Sequence, residues 1–199
     1  MKTNSEIRAL ARQSLSGNWT MPVLVMLILF IVSGISAIPY LGSLLVIFIF
    51  LPINYSVEQL FLRFARGEKN NLIEKMFDCF NDYGRALGTS LLVVIYICLW
   101  ALLLIIPGII KVYSYAMTYY IALDHPELNA EQCIQRSMKM MSGHKMKLFL
   151  LDLSFIGWIL LCILTFGIAK LWVQPYINVA HSHFYQELKA AEEQIAPEK

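Results

Sequence analysis

Asp152 is the residue of this chain best placed to do chemistry, because it lies among Leu150, Leu151, Leu153 and Phe155. A carboxylate inside an apolar helix that enters lipid costs about 2.5–3.5 kcal/mol, so it has to face water, a partner group or a cavity. One reading is a proton or cation site, or a contact for a polar substrate group. The other is an acid near the cytoplasmic interface, paired with Lys145, Lys147 or another basic residue. The segment starts near Lys145, which puts Asp152 only about 10 Å deep at 1.5 Å per residue. That depth favours the second reading. Glu58 poses the same question near the end of another apolar run, with Arg63 and Arg66 following within two turns. Lys111 and Lys170 each stand three residues past a glycine, Gly108 and Gly167. Both are expected to snorkel to a surface; turned inward, they would offer matched cations to an anionic headgroup. Asp152, Glu58, Lys111 and Lys170 are therefore the candidate substrate- or ion-binding residues.

Other chemistry finds little support. His181 and His183 are two apart, so a helix sends them to different faces, whereas a paired metal site wants a spacing of four. His125 and His144 have no partner at a known spacing. Cys79, Cys98, Cys133 and Cys162 form no CxxC or zinc-type pair. No nucleophile elbow, phosphate loop or dinucleotide fingerprint occurs. No catalytic residue, metal or cofactor is expected. The net charge of +2 comes without a basic stripe, which argues against nucleic acid as a partner.

The elements that must position these residues follow from composition. The 199 residues are 58% hydrophobic and 15% charged, against about 45–50% and about 25% for soluble domains. The apolar residues collect in six blocks, 22–38, 43–62, 87–106, 109–123, 146–164 and 168–186. A bilayer core of about 30 Å takes about 20 helical residues. Pro22 suits the first turn of the first block. The fourth block is the least regular, with Lys111 and the tyrosines Tyr113, Tyr115, Tyr119 and Tyr120. The blocks pair through short uncharged turns at Ile38-Pro39-Tyr40-Leu41-Gly42, Ile106-Pro107-Gly108 and Thr165-Phe166-Gly167, where proline and glycine break the helix. The expected fold is all-α: a polytopic transmembrane helix bundle of six spans arranged as three helical hairpins.

The hairpins resemble one another. From Gly17 to Gly42, Gly84 to Gly108 and Gly143 to Gly167 is 25, 24 and 24 residues. Similar spans across one bilayer would give similar lengths anyway, yet the match suggests a threefold repeat in one membrane domain, 1–66, 67–127 and 128–190, with a polar tail at 191–199. An amphipathic stretch precedes each opening glycine. The first carries Ile7, Leu10, Ala11 and Leu15 on one side and Arg8 and Arg12 on another. The second carries Ile73, Met76, Phe77 and Phe80 against Glu74, Lys75, Asp78 and Asp82. The third, capped by Asn129, carries Cys133, Ile134, Met138 and Met141 against Glu131, Arg136 and Lys139. These helices are expected at the membrane surface or folded under the bundle. The Leu153–Trp158 run is expected to pack Ser154 and Gly157 closely against a neighbour.

Lys and Arg gather in the N-terminal arm (Lys2, Arg8, Arg12) and between hairpins (Arg63, Arg66, Lys69, Lys75 and Arg85; then Arg136, Lys139, Lys145 and Lys147). The hairpin turns themselves carry none. This asymmetry places both termini and the amphipathic helices in the cytoplasm. Gly34–Ala37 is small enough for signal cleavage, but some twenty residues precede the first apolar block, and an uncleaved first span is the expectation.

The stretch from Arg136 to Tyr185 holds Gly143-His144-Lys145, Leu153-Ser154-Phe155-Ile156-Gly157-Trp158, Thr165-Phe166-Gly167-Ile168, Trp172, Pro175-Tyr176 and Phe184-Tyr185. On these residues it resembles the bacterial integral membrane proteins grouped as domain of unknown function 975. The arm ending in Gly17-Asn18-Trp19 is similar to that family's start, so the resemblance covers nearly the whole chain. Ala169 departs from it, standing where the family more often repeats a glycine, which puts only local packing in doubt. The resemblance implies a multi-pass protein of the bacterial plasma membrane and supplies no activity. The leading functional expectation is a non-enzymatic accessory, scaffold or envelope-homeostasis factor that acts through its cytoplasmic helices. Its partners would be the lipid bilayer and another membrane protein or a second copy of itself. The alternative is a small transporter or lipid-handling protein with a polar site near Asp152.

Overall fold

The computed structural model describes residues 2–35 and 41–195, which are helical throughout their regular elements and contain no strand. Helix α1 spans Asn4–Leu15 and α2 Thr20–Ile35. Helix α3, Leu41–Leu45, runs through a π turn at Val46–Phe50 into α4, Leu51–Ala65. Then come α5 (Leu72–Met76), a 3₁₀ turn at Asp78–Phe80, α6 (Tyr83–Leu103), α7 (Ile105–Tyr115), α8 (Thr118–Asp124) and α9 (Ala130–Met140). Helices α10 (Lys145–Leu153), α11 (Ile156–Leu164) and α12 (Lys170–Ile195) complete the chain. Ile38, Pro39 and Tyr40 of the first expected turn lie outside the described residues. So do 196–199 of the expected polar tail, while 191–195 continue α12.

Of the six apolar blocks, two form single helices long and apolar enough to cross a membrane, 46–65 and 83–102. The number rises to four if two bent pairs each count as one span: α1 with α2, meeting at 95°, and α10 with α11, meeting at 42°. The other blocks differ for physical reasons. The fourth is divided between α7 and α8. The sixth is a long helix, but Gln174, Asn178, His181, Ser182 and His183 make α12 less apolar than those two. Those polar residues mostly face inward, because α12 is the central post, packed against α1, α2, α4, α10 and α11. Val173, Tyr176, Val179, Ala180, Phe184 and Leu188 are all buried along it. The outside is apolar instead. Phe30 and Ile31 on α2, Leu99 and Leu102 on α6, and Ile163 and Leu164 on α11 are exposed, and Phe166 at the third turn is 96% exposed.

The second turn falls at Leu104, in extended conformation, and not at Ile106-Pro107-Gly108. Pro107 sits in the first turn of α7, where its missing N–H leaves no bond unmade. Gly108 serves close packing: a Cβ there would lie 2.9 Å from the Ala101 Cα of α6. The third turn stands at Thr165-Phe166-Gly167, with Phe166 and Gly167 both at positive φ. The expected close approach at Gly157 is absent, since a Cβ there would meet nothing within 4 Å. At the Ser154–Phe155 break the bend is held differently: Phe155 is buried edge-on to Tyr176 with ring centroids 5.0 Å apart, and Arg8 donates to the Ser154 carbonyl at 3.3 Å.

The amphipathic stretches fold under the bundle. Helix α1 opens with a Thr3–Glu6 capping box and buries Ile7, Ala11 and Leu15. Helix α9 opens with an Asn129–Gln132 box and buries Cys133, Ile134, Ser137 and Met140. Buried Ser137 also mends the α7–α8 break, donating to the Ser114 carbonyl at 2.8 Å and accepting from Met117 N at 3.2 Å. The second stretch departs from the expected face. Its α-helix stops at Met76 and continues as a 3₁₀ turn, so the register shifts. Leu72, Met76 and Cys79 then point inward, and Phe77 and Phe80 stack outward with Tyr83.

One carboxylate ties three helices together. Asp124, at the end of α8, accepts a bidentate pair from Arg66 at 2.6 and 2.7 Å, Lys189 Nζ at 2.8 Å and the Tyr185 hydroxyl at 3.0 Å. The ends of α4 and α8 therefore meet α12 at the level of Tyr185 and Lys189, and α4 runs parallel to α12. Arg85 caps α8 by donating to the carbonyls of Ala122, His125 and Pro126.

Burial alone would raise the Asp124 carboxyl, but the bonds from Arg66 and Lys189 outweigh it and hold the group well below the usual carboxylate range. A depressed folded-state value means the stabilisation is complete above the unfolded value of about 3.9 and fades as pH falls below it. Detergent-solubilised protein should therefore lose thermal stability steeply below about pH 4. Asp124→Asn should be less stable by about 2–3 kcal/mol at neutral pH and much flatter in acid. An unchanged acid profile in that variant would remove Asp124 from the account. Gly108→Ala should also destabilise, although alanine favours a helix by about 1 kcal/mol, whereas Gly157→Ala should not. Thermal melts of the two side by side check the α6–α7 contact.

Candidate functional site

The polar residues of α12 recur at helical spacing. Lys170, Gln174, Asn178 and His181 are separated by four, four and three residues, which lines them up on one face. Opposite them, parallel helix α4 presents Asn54 and Glu58 one turn apart. Between these faces and α2 lies a cavity of about 210 Å³. Its polar lining is Ser33, Asn54, Glu58, Lys170, Gln174 and Asn178; Met26, Leu29, Phe30, Phe50, Val57 and Leu171 supply the rest.

The local backbone makes room for it. Pro52 has no N–H to give the Phe48 carbonyl, so the helix widens into the π turn, and the Tyr83 hydroxyl donates to Phe48 O at 2.7 Å instead. Pro175 likewise withdraws the helical donor from the carbonyl of Leu171, a cavity residue.

Internal hydrogen bonds fix which atoms are left for a ligand. Asn54 spends its amide on the Phe50 carbonyl at 2.9 Å, and Gln174 spends its amide on Asn178 Oδ1 at 3.0 Å. The Tyr120 hydroxyl, from α8, donates to Glu58 Oε2 at 2.6 Å. What remains is Asn54 Oδ1, Glu58 Oε1 and Gln174 Oε1 as acceptors, and the Asn178 amide, one N–H each of Asn54 and Gln174, and the Lys170 ammonium as donors. The lining thus sets one acid, Glu58, and one cation, Lys170, among amides that can serve either role, counted over the described residues. A primary ammonium offers three donors and no acceptor, which complements the Glu58 end.

Behind the cavity the polar groups continue. His181 Nε2 and Asp152 Oδ1 are 2.6 Å apart, joining α12 to α10, and Glu58 and His181 lie within electrostatic reach of each other. Asp152 is thus held by His181, not by Lys145 or Lys147, because the break at Ser154 turns its side of α10 toward α12. His183 faces elsewhere, meeting Ser14 Oγ of α1 at 2.9 Å, as a spacing of two requires.

The four sequence candidates therefore separate. Glu58 and Lys170 line one cavity, and Asp152 stands behind it through His181. Lys111 belongs to another place: its Nζ lies 4.5 Å from the Trp100 ring centroid and 3.8 Å from Met138 Sδ. The matched lysines do not converge. Sequence reasoning passed over Gln174 and Asn178 and weighed His181 only as half of a metal pair, although their spacing along α12 carries the signal. Asn54 shows only as one turn from Glu58, and Tyr120 has no local signal at all. Among the described residues no three His, Cys, Asp or Glu gather as a metal site would need.

Fold and site define an all-α bundle that is apolar outside and carries a polar seam inside. The family described as "Protein of unknown function (DUF975)" matches residues 1–114 and 102–192, and the chain belongs to that family. No curated protein and no solved structure matches it.

If Glu58–Tyr120 and Asp152–His181 form one electrostatic unit, their substitutions will not add. Tyr120→Phe removes a donor from a half-buried carboxylate and should cost about 1–3 kcal/mol in detergent unfolding. Combined with His181→Ala, the total should depart from the sum of the single effects by about 0.5 kcal/mol or more. Strict additivity would separate the two pairs.

Proposed function

We propose that this chain is a non-enzymatic, multi-spanning protein of the bacterial plasma membrane that binds a small amine-bearing zwitterionic group in the cavity between α2, α4 and α12. Transport or lipid handling is the class of work that follows. Glu58, an acid on the wall of this cavity, carries the reading: its free oxygen suits an ammonium, with the Asn54 and Gln174 amides on the same lining. Lys170, on the same lining, supplies the opposite charge for a phosphate or carboxylate.

The topology proposed with it is six crossings in three hairpins, with both termini and the Asp124 junction cytoplasmic. The positive residues near that junction, Arg63, Arg66, Arg85 and Lys189, support this orientation. So does the exposed apolar exterior of α2, α6 and α11, which is larger than soluble monomers tolerate. The shorter or more polar crossings, α7–α8 and α12, would be shielded from lipid by the others, where broken helices and inward polar groups are tolerated. A scaffold role through α9 would have to use Glu131, Gln135 and Lys139, since its apolar face is spent inside.

The test is binding of phosphoethanolamine to the full chain in mild detergent, by calorimetry and thermal shift. The wild type should bind and melt higher. Glu58→Gln, which keeps an acceptor for Tyr120, should weaken binding at least tenfold, and Lys170→Met should weaken it less. No binding by the wild type, or equal binding by Glu58→Gln, would defeat the reading.

A further inference from the structure

A second cavity adjoins the first and has the opposite character. It encloses about 350 Å³ between α2, the π turn and the outward-stacked rings of the α5–α6 connection. Val32, Leu45, Val46, Ile49, Ile53, Phe77 and Phe80 surround it, and among the described residues its only polar one is Ser33. Ser33 and Phe50 line both cavities, so they are the common wall between an apolar chamber and a polar one.

Phe50 ends the π turn. It is the last residue before α4, at the place where Pro52 and the widened helix have loosened the regular hydrogen-bond ladder. The side chain dividing the two spaces thus comes from the point where the widened turn passes into the regular helix. Phe77 and Phe80 close the apolar chamber from the far side and are about half exposed, so the chamber reaches the surface of the bundle. Its volume is within the range of ligand pockets, which begin near 300 Å³.

We infer that the two cavities together hold one molecule, an amine-bearing phospholipid whose headgroup enters the Glu58–Lys170 cavity and whose acyl chain lies in the apolar chamber beside Phe50. The inference rests on the binding reading above and names its substrate class. Charge complementarity argues for the headgroup: the ammonium meets Glu58, and the phosphate meets Lys170. Continuity argues for the chain. A water-soluble zwitterion would leave the adjoining chamber unexplained, while an acyl chain fills it without desolvating any charge. An acyl chain also contributes about 0.8 kcal/mol for each CH₂ it buries, so a lipid should outcompete its own headgroup.

The experiment compares three probes on the full chain in mild detergent: phosphoethanolamine, palmitoyl-lysophosphatidylethanolamine and the lysophosphatidylglycerol of the same chain. The wild type should bind the ethanolamine lipid at least tenfold tighter than phosphoethanolamine, and at least tenfold tighter than the glycerol lipid, which has no amine. Ile49→Trp, which fills the apolar chamber, should bring the ethanolamine lipid down toward the affinity of phosphoethanolamine while leaving phosphoethanolamine within twofold. Phe80→Ala alters an exposed residue that the fold does not depend on, and it should likewise weaken the lipid alone. If lipid and phosphoethanolamine bind equally and neither substitution matters, the ligand is a soluble zwitterion: this inference fails and the binding reading stands. If both lysolipids bind alike and Glu58→Gln changes neither, the lipid is held by its chain alone, and both fail.

Discussion

Three acids inside this bundle are each met by partners from other helices, and that constraint organises the structure. Glu58 is met by Tyr120, Asp152 by His181, and Asp124 by Arg66, Lys189 and Tyr185. Each of these pairings joins different helices. The polar contacts are therefore also the ones that set which helix stands beside which. Apolar packing fills the space between them, but it is non-directional and would tolerate other registers.

The same constraint governs the backbone. At three of the points where proline or a break interrupts a helix, another element supplies a bonding group. Tyr83 replaces the donor lost at Pro52, Ser137 bridges the α7–α8 break, and Arg8 reaches the Ser154 carbonyl. Three of the irregular points are thus pinned by residues from distant parts of the chain. The cavity sits where two interruptions, at the π turn and at Pro175, lie on facing walls. Irregular backbone there leaves room that two regular helices would close.

Part of the site was legible beforehand. Asp152 and Glu58 announce themselves because a carboxylate among leucines and phenylalanines must have a reason, and Lys170 because it follows a turn glycine. The period along α12 was equally visible, yet its amides and histidine read as ordinary polar lining until α4 is placed opposite. Tyr120 could not be found in this way. It is one of four tyrosines in an irregular segment, and only the packing of α8 against α4 distinguishes it from Tyr119. Lys111 looked equivalent to Lys170 by spacing, but spacing does not encode that α6 offers Trp100 to one of them.

By itself the sequence determined the all-α class, the apolar blocks, the cap at Asn129 and the third turn at Gly167. These depend on composition, helical period and the conformational freedom of single residues, all of them local. Tertiary structure alone decided that the second turn falls at Leu104, that Phe77 and Phe80 face outward, that Gly157 packs against nothing, and that Glu58, Asn54, Gln174 and Lys170 share one cavity. Those outcomes turn on which helix faces which across the bundle, and at what height. That is set by long-range pairing energies between residues as far apart as Glu58 and Tyr120, and no window along the chain contains both.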